Sequence, residues 1–268
     1  MYLSCLLINV GDNPDRPRPG RLWLRNMYRV HQRLCMAFPS TERVSADPEF
    51  LMPFIPKAFG DVKIARSHAQ GFLFRVDSLR GNRAMIIVQS AREPDWNYAF
   101  HNAEHFLAGP PLCRPFEDSK HFKTNDPLHF RLLANPVRKV SKKSLGIDGK
   151  PLNQKWLGKE VPVPMADLEK WLLRRAEPGW SPPKNKKESG QKQPPPGFKI
   201  ESISNIHSGF VNISKGRDDE HGKATRRRSA LYQGILRVTN PEHFRATLNR
   251  GIGPGKAFGF GLLSVARA

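Results

Sequence analysis

Tyr28 and His31 are the first residues along the chain whose types and spacing suit a reaction. Three positions apart, they share one face of a helix. A neutral imidazole can take the proton from a ribose 2′-OH, and its conjugate acid can protonate a leaving 5′-oxygen. A neighbouring tyrosine hydroxyl can orient that ring or bind a phosphate oxygen. The same pair also fits a half-buried structural contact, and spacing alone leaves both readings open.

A second chemical stretch closes the chain, GIGPGKAFGFGLLSVAR from Gly251 to Arg267. Gly251, Gly253 and Gly255 leave backbone N–H groups unshielded, and Lys256 adds a cation among them. The stretch reads as a phosphate-cradling turn that feeds a terminal strand, or as a tight turn that only orders that strand. A Walker A loop is excluded, because Arg250 stands where its first glycine belongs and Ala257 where Ser or Thr is needed. The dinucleotide fingerprint fails too: Lys256 takes the sixth position and the segment leads into a strand. Against the RNA-recognition pattern RNP1, Lys256, Phe258, Gly259 and Phe260 fit, whereas Ala257, Gly261 and Leu263 do not. His101-Asn-Ala-Glu104-His105 matches H-x-x-E-H, which on a helix would turn both imidazoles to one side for zinc. Three residues are easily met by chance, and so basic a chain suits a peptidase poorly. No metal and no cofactor is expected.

Charge narrows the partner. The 268 residues carry 44 Lys+Arg against 24 Asp+Glu, a net +20 spread along the chain. A polyanion is the natural partner. Nucleic acid is favoured over an acidic membrane, since no helical stretch joins a basic face to a strongly apolar one. Arg217, Lys223, Arg226, Arg227 and Arg228 crowd one predicted hairpin tip, partly offset by Asp218, Asp219 and Glu220. Arg138 and Lys139, with Lys142 and Lys143, form a second cluster; Lys184, Lys186 and Lys187 form a third. Met1 to Val10 reads as a strand rather than a secretory signal, and no run approaches the ~18 apolar residues of a membrane span. Cys5, Cys35 and Cys113 are odd in number and far apart, which suits reduced thiols and a cytoplasmic protein.

These residues need elements to position them. Tyr2–Asn9 reads as a central strand, and residues 11–20 as a basic loop. Asn26 is placed to cap a helix ending before Pro39, with Met27, Val30, Leu34 and Phe38 as its buried stripe. Residues 41–71 read as a long insertion. Strands 72–79 and 83–91 flank a tight turn at 80–82, a short helix is expected over 95–107, and a strand around 121–124. The order then restarts: a strand over 128–140, a helix over 164–175, a flexible insert over 178–196, and a hairpin from 198–213 and 230–239. A helix capped by Asn240 with Pro241 first, and the closing strand, complete it. The expected fold is therefore α+β: β-α-β-β-α-β twice, as two tandem ferredoxin-like (RRM-like) domains over 1–125 and 126–268.

Several landmarks in this order carry a resemblance. The opening Met1-Tyr2-Leu3-Ser4, Tyr28-x-x-His31, and Glu93-Pro94-Asp95-Trp96 come first. Phe130-Arg131-Leu132-Leu133-Ala134-Asn135-Pro136, Gly251-Ile252-Gly253-Pro254-Gly255-Lys256 and Gly259-Phe260-Gly261-Leu262-Leu263-Ser264 follow. Together they resemble the CasE-type CRISPR repeat-processing endoribonucleases of type I-E systems, within the RAMP superfamily. The resemblance implies metal-independent cleavage of a precursor RNA at the 3′ base of each repeat stem-loop, leaving a 2′,3′-cyclic phosphate and a 5′-hydroxyl. It further implies that the mature guide RNA is retained in a multisubunit surveillance complex. His31 would be the acid/base residue and Tyr28 its partner, the glycine loop with Lys256 would lie across from the first helix, and the basic hairpin would hold the stem. Where some relatives have a lysine after the histidine in the first helix, this chain has Cys35 and Met36. The alternatives are a non-catalytic RNA-binding module and a basic RNA scaffold protein of the same fold.

Overall fold

Alternating burial along Tyr2–Asn9 makes β1 a strand with one face in a core, Leu6 and Ile8 being fully covered. The computed structural model describes residues 1–11, 19–52, 71–79, 83–116, 122–141, 154–176, 195–213 and 225–268. A short helix α1 (Pro19–Leu24) follows, at the end of the stretch expected to be loop. In α2 (Met27–Cys35) the Asn26 side chain accepts from the Tyr28 N–H at 3.0 Å, the expected cap. Val30 and Leu34 of α2 are fully buried, and Phe38 packs just beyond its end. Each such side chain contributes about 1.5–3 kcal/mol. The long 41–71 stretch contains α3 (Thr41–Ala46), capped by Ser40; 53–70 lie outside the described residues.

β2 (Phe72–Leu79) and β3 (Arg83–Ser90) then pair antiparallel over all eight residues, Phe72 opposite Ser90. Asp95 caps α4 (Trp96–Phe100) by accepting from the Tyr98 N–H, and the Trp96 indole donates to Ser4 Oγ at 3.0 Å. Those contacts give the Glu93-Pro94-Asp95-Trp96 landmark its structural content. β4 (Leu112–Pro115) pairs with the start of β1, and the sheet runs β2-β3-β1-β4. The expected strand at 121–124 is corrected here. Phe122 packs edge-on against Phe244 in a different core, and the fourth strand is the mostly exposed Leu112–Pro115.

β5 (Pro127–Ala134) opens a second sheet, and the strand expected to run to 140 breaks at Asn135-Pro136. Proline has no N–H for a ladder. The chain instead leaves the sheet, and β6 (Val137–Lys139) pairs with β7 (Glu160–Pro162) in a separate two-stranded ribbon. α5 (Leu168–Ala176), β8 (Phe198–Ile213), β9 (Thr225–Val238), α6 (Pro241–Arg250) and β10 (Leu263–Arg267) follow. Asn240 caps α6 with Pro241 in first place, as expected. The sheet order is β10-β5-β9-β8. Counted within each unit, both sheets run 4-1-3-2 with two helical crossovers, the tandem ferredoxin-like fold. The insert expected at 178–196 falls almost entirely outside the described residues.

The units meet through the face of β2 and β3 opposite their helices. Arg75 and Asp77, both buried, form an ion pair at 3.0 Å; Arg75 also donates to Arg131 O and Ser264 Oγ, and Arg131 reaches Asp77 at 3.2 Å. Gln89 donates to Leu248 O at 2.8 Å. No helix among the described residues is long and apolar enough to cross a membrane.

Candidate nucleic-acid interface

His31 sits half-buried on α2, on the side that faces β2. Its ring lies 6.3 Å from that of Phe74, nearly parallel, and 5.5 Å from that of Phe72. One turn on, Cys35 Sγ stands 3.6 Å from Nε2 and 3.7 Å from Nδ1. Burial among these groups pushes the imidazole pKa down to about 4. At neutral pH the ring is therefore uncharged and able to accept a proton. Tyr28, also half-buried, shares the helix face by its three-residue offset.

The glycine stretch comes to α2 from the other unit. Gly251 lies against Leu73, where an added Cβ would stand 2.8 Å from Leu73 Cδ1 and from Gly261 O. Gly259 lies against the Phe74 ring, 3.2 Å from where its Cβ would be. Leu73 and Phe74 point to opposite faces of β2, an edge strand. The loop between these glycines thus wraps round that edge, and its 3-10 turn, Lys256–Phe258, packs on α2. Both glycines have φ near +70 to +80°, where a side chain would be strained. The loop is pinned by Ile252 N–H to Gly261 O at 2.9 Å and Gly261 N–H to Leu133 O at 2.8 Å. Burial, assisted by the Arg250 cation, lowers the Lys256 pKa to about 8.

Gly253 rests on Trp171 and Gly255 beside Asn135, whose amide nitrogen is buried without a hydrogen-bond partner. From the basic hairpin, Arg227 reaches over the Phe258 ring at 5.7 Å. Arg226 is exposed and donates to Asn212 at 3.2 Å; Arg228 is occupied by Val163 O at 3.3 Å and the Phe210 ring. The helix that carries Tyr28 and His31 therefore meets the turn that carries Lys256, and Arg227 reaches that turn through Phe258. Arg138 and Lys139 lie on β6, and Arg217, Lys223, Lys142, Lys143, Lys184, Lys186 and Lys187 lie outside the described residues.

Beside the convergence a cleft of about 480 Å³ opens between the units. Met27 and Leu24 line one wall, Val211, Phe258 and Gly259 the other. Arg21 and Arg83 also border it, two cations that sequence reasoning passed over; Arg21 stands one residue past the expected basic loop. Phe74 and Arg250 were missed as well, since their roles depend on neighbours far along the chain. The His101–His105 stretch does not form one helical face: α4 ends at Phe100, and a separate 3-10 turn, Glu104–Phe106, holds His105 against Phe106. Among the described residues no group of three or more His, Cys, Asp and Glu side chains is placed to hold a metal ion.

A family model described as "CRISPR associated protein" matches residues 1–267. The CRISPR-associated endoribonuclease Cse3 of Thermus thermophilus is 32% identical, covering 99% of this chain and 100% of the relative. The Cascade subunit CasE of Escherichia coli is 23% identical over 99% of each chain. A solved structure of Thermus thermophilus Cse3, bound to an RNA representing a pre-cleavage complex, superposes with a TM-score of 0.58 at 26% identity. That likeness covers 99% of this chain and 98% of the other.

Proposed function

Because the chain belongs to the family of CRISPR-associated proteins, in its CasE type, we propose that it is the endoribonuclease that processes CRISPR precursor RNA. The observation that carries this reading is the meeting of α2, with Tyr28 and His31, and the Lys256 turn across the edge of β2. The repeat stem-loop is bound and cut at its 3′ base. His31 takes the 2′-OH proton, the 2′-oxygen attacks the adjacent phosphorus, and the bond to the 5′-oxygen breaks. The products are a 2′,3′-cyclic phosphate and, once a proton is returned, a 5′-hydroxyl. Tyr28 orients the imidazole or a phosphate oxygen. Lys256 and the glycine-loop N–H groups offset charge that builds on the phosphate.

Holding the 2′-oxygen, phosphorus and 5′-oxygen in line supplies much of the remaining acceleration. In this reading residues 1–125 carry the reacting side chains and 126–268 grip the RNA through Arg226, Arg227, Arg228 and the rest of the hairpin. The cut guide stays bound and enters a surveillance complex with other subunits, as the Cascade membership of the Escherichia coli relative supports. Cognate repeat RNA incubated in EDTA, with both product ends analysed, tests the chemistry. Cleavage to a cyclic phosphate and a 5′-hydroxyl is expected, blocked by a 2′-deoxy sugar at the cut nucleotide. Tight binding without a cut would identify a binding module instead.

A further inference from the structure

The far end of the β6–β7 ribbon presents an aromatic ring to solvent. Trp156 is 41% exposed in a 3-10 turn, Gln154–Trp156. The ammonium of Lys159 lies 5.3 Å from the ring centroid and that of Lys155 5.9 Å. This turn is held against the ribbon: the Gly158 N–H donates to Val140 O, the Val140 N–H to Lys159 O, and the Lys159 N–H to Trp156 O, each at 2.9 Å. The indole is therefore presented by pinned backbone. Glu160, the single acid in the 154–160 stretch, stands opposite Lys139 in the ribbon register.

An exposed ring with two ammonium groups within 6 Å of its centroid suits a nucleobase stacked on it and phosphates beside it. A protein partner is the poorer fit, because interface cores are depleted in lysine. The ribbon's position supports RNA too. Its root touches the glycine loop, through Asn135 beside Gly255 and through Trp171, which lies against Gly253 and donates to Val137 O at 3.1 Å. From Val137 to Val140 extended chain covers about 10 Å. An unpaired strand that leaves the loop along the ribbon reaches the ring within a few nucleotides.

We infer that Trp156, with Lys155 and Lys159, is a stacking platform for an unpaired nucleotide of the RNA flanking the cleaved phosphate. The inference extends the proposed cleavage site and rests on that reading. The test uses repeat RNA made uncleavable by a 2′-deoxy sugar, with and without single-stranded flanks, against wild type, W156A and W156F. W156A should lose about 5- to 100-fold in affinity for the flanked RNA, W156F should keep most of it, and the bare stem-loop should bind all three alike. Flanked RNA should also quench a part of the tryptophan fluorescence that is missing in W156F.

A change below two-fold for W156A on flanked RNA overturns the platform, as does an equal loss on the bare stem-loop. Loss of complex assembly by W156A at unchanged RNA affinity assigns the ring to a protein partner and overturns it as well. Wild-type cleavage of ordinary repeat RNA, run alongside, separates the two readings. If the wild type cuts and W156A binds normally, only the platform fails; if the wild type neither cuts nor prefers the repeat, the cleavage reading fails with it.

Discussion

Protonation of His31 offers a quantitative test of the site. In the RNA-free protein its pKa is pushed from 6.5 to about 4 by burial beside Phe72, Phe74 and Cys35. That difference costs the imidazolium about 3 kcal/mol relative to water, an upper bound because part of the ring still meets solvent. The folded pKa lies below the unfolded one, so between pH 6.5 and 4 the unfolded chain binds the extra proton. Above pH 6.5 this group leaves stability untouched; as pH falls towards 4 it removes at most about 3 kcal/mol. At pH 7 roughly one ring in 10³ is charged, which leaves the base form ready for the 2′-OH. A bound phosphate favours the imidazolium and should raise the pKa. NMR titration of the ring Cε1–H, assigned by its absence in His31→Gln, reads both states. Titration near pH 6.5 in the free protein, or no rise with uncleavable RNA, would refute the reasoning.

Three further outcomes are expected. His31→Ala should keep RNA affinity while single-turnover cleavage falls about 10²- to 10⁴-fold, and unchanged cleavage would sink the assignment. Lys256→Ala should weaken both binding and cleavage. With its pKa near 8 in the free protein, the wild-type advantage is present at pH 7 and fades above pH 8; affinity and cleavage identical to wild type at pH 7 would leave the loop as a turn alone. Arg75→Met, which leaves buried Asp77 to Arg131 alone, should cost about 3–5 kcal/mol in urea unfolding, and an unchanged midpoint would show that this network does not hold the units together.

Much of the fold was legible because its signals are local. The Asn26 cap and the Val30–Leu34 stripe lie within one or two turns. The eight-residue strands β2 and β3 announce themselves by composition, and Asn240-Pro241 marks a helix start within two positions. The misplaced fourth strand shows the limit. Leu112–Pro115 is short and mostly exposed, so no apolar pattern marks it, and only pairing with β1 makes it a strand. Phe122 lies in the segment expected to be that strand, yet it fills the other unit's core.

The candidate site divides in the same way. Residue types alone singled out Tyr28, His31 and Lys256 as able to handle a proton and a phosphate, and the net charge of +20 pointed to a polyanion. What only tertiary structure decided is that the helix of Tyr28 and His31 meets the turn of Lys256, some 220 residues apart in sequence. Gly251 and Gly259 lack the Cβ that would strike Leu73, Gly261 and Phe74, so the loop can wrap the edge of β2 and reach α2. The same packing shields His31 from part of the surrounding water and lowers its proton affinity, because desolvation depends on neighbours the sequence does not place side by side.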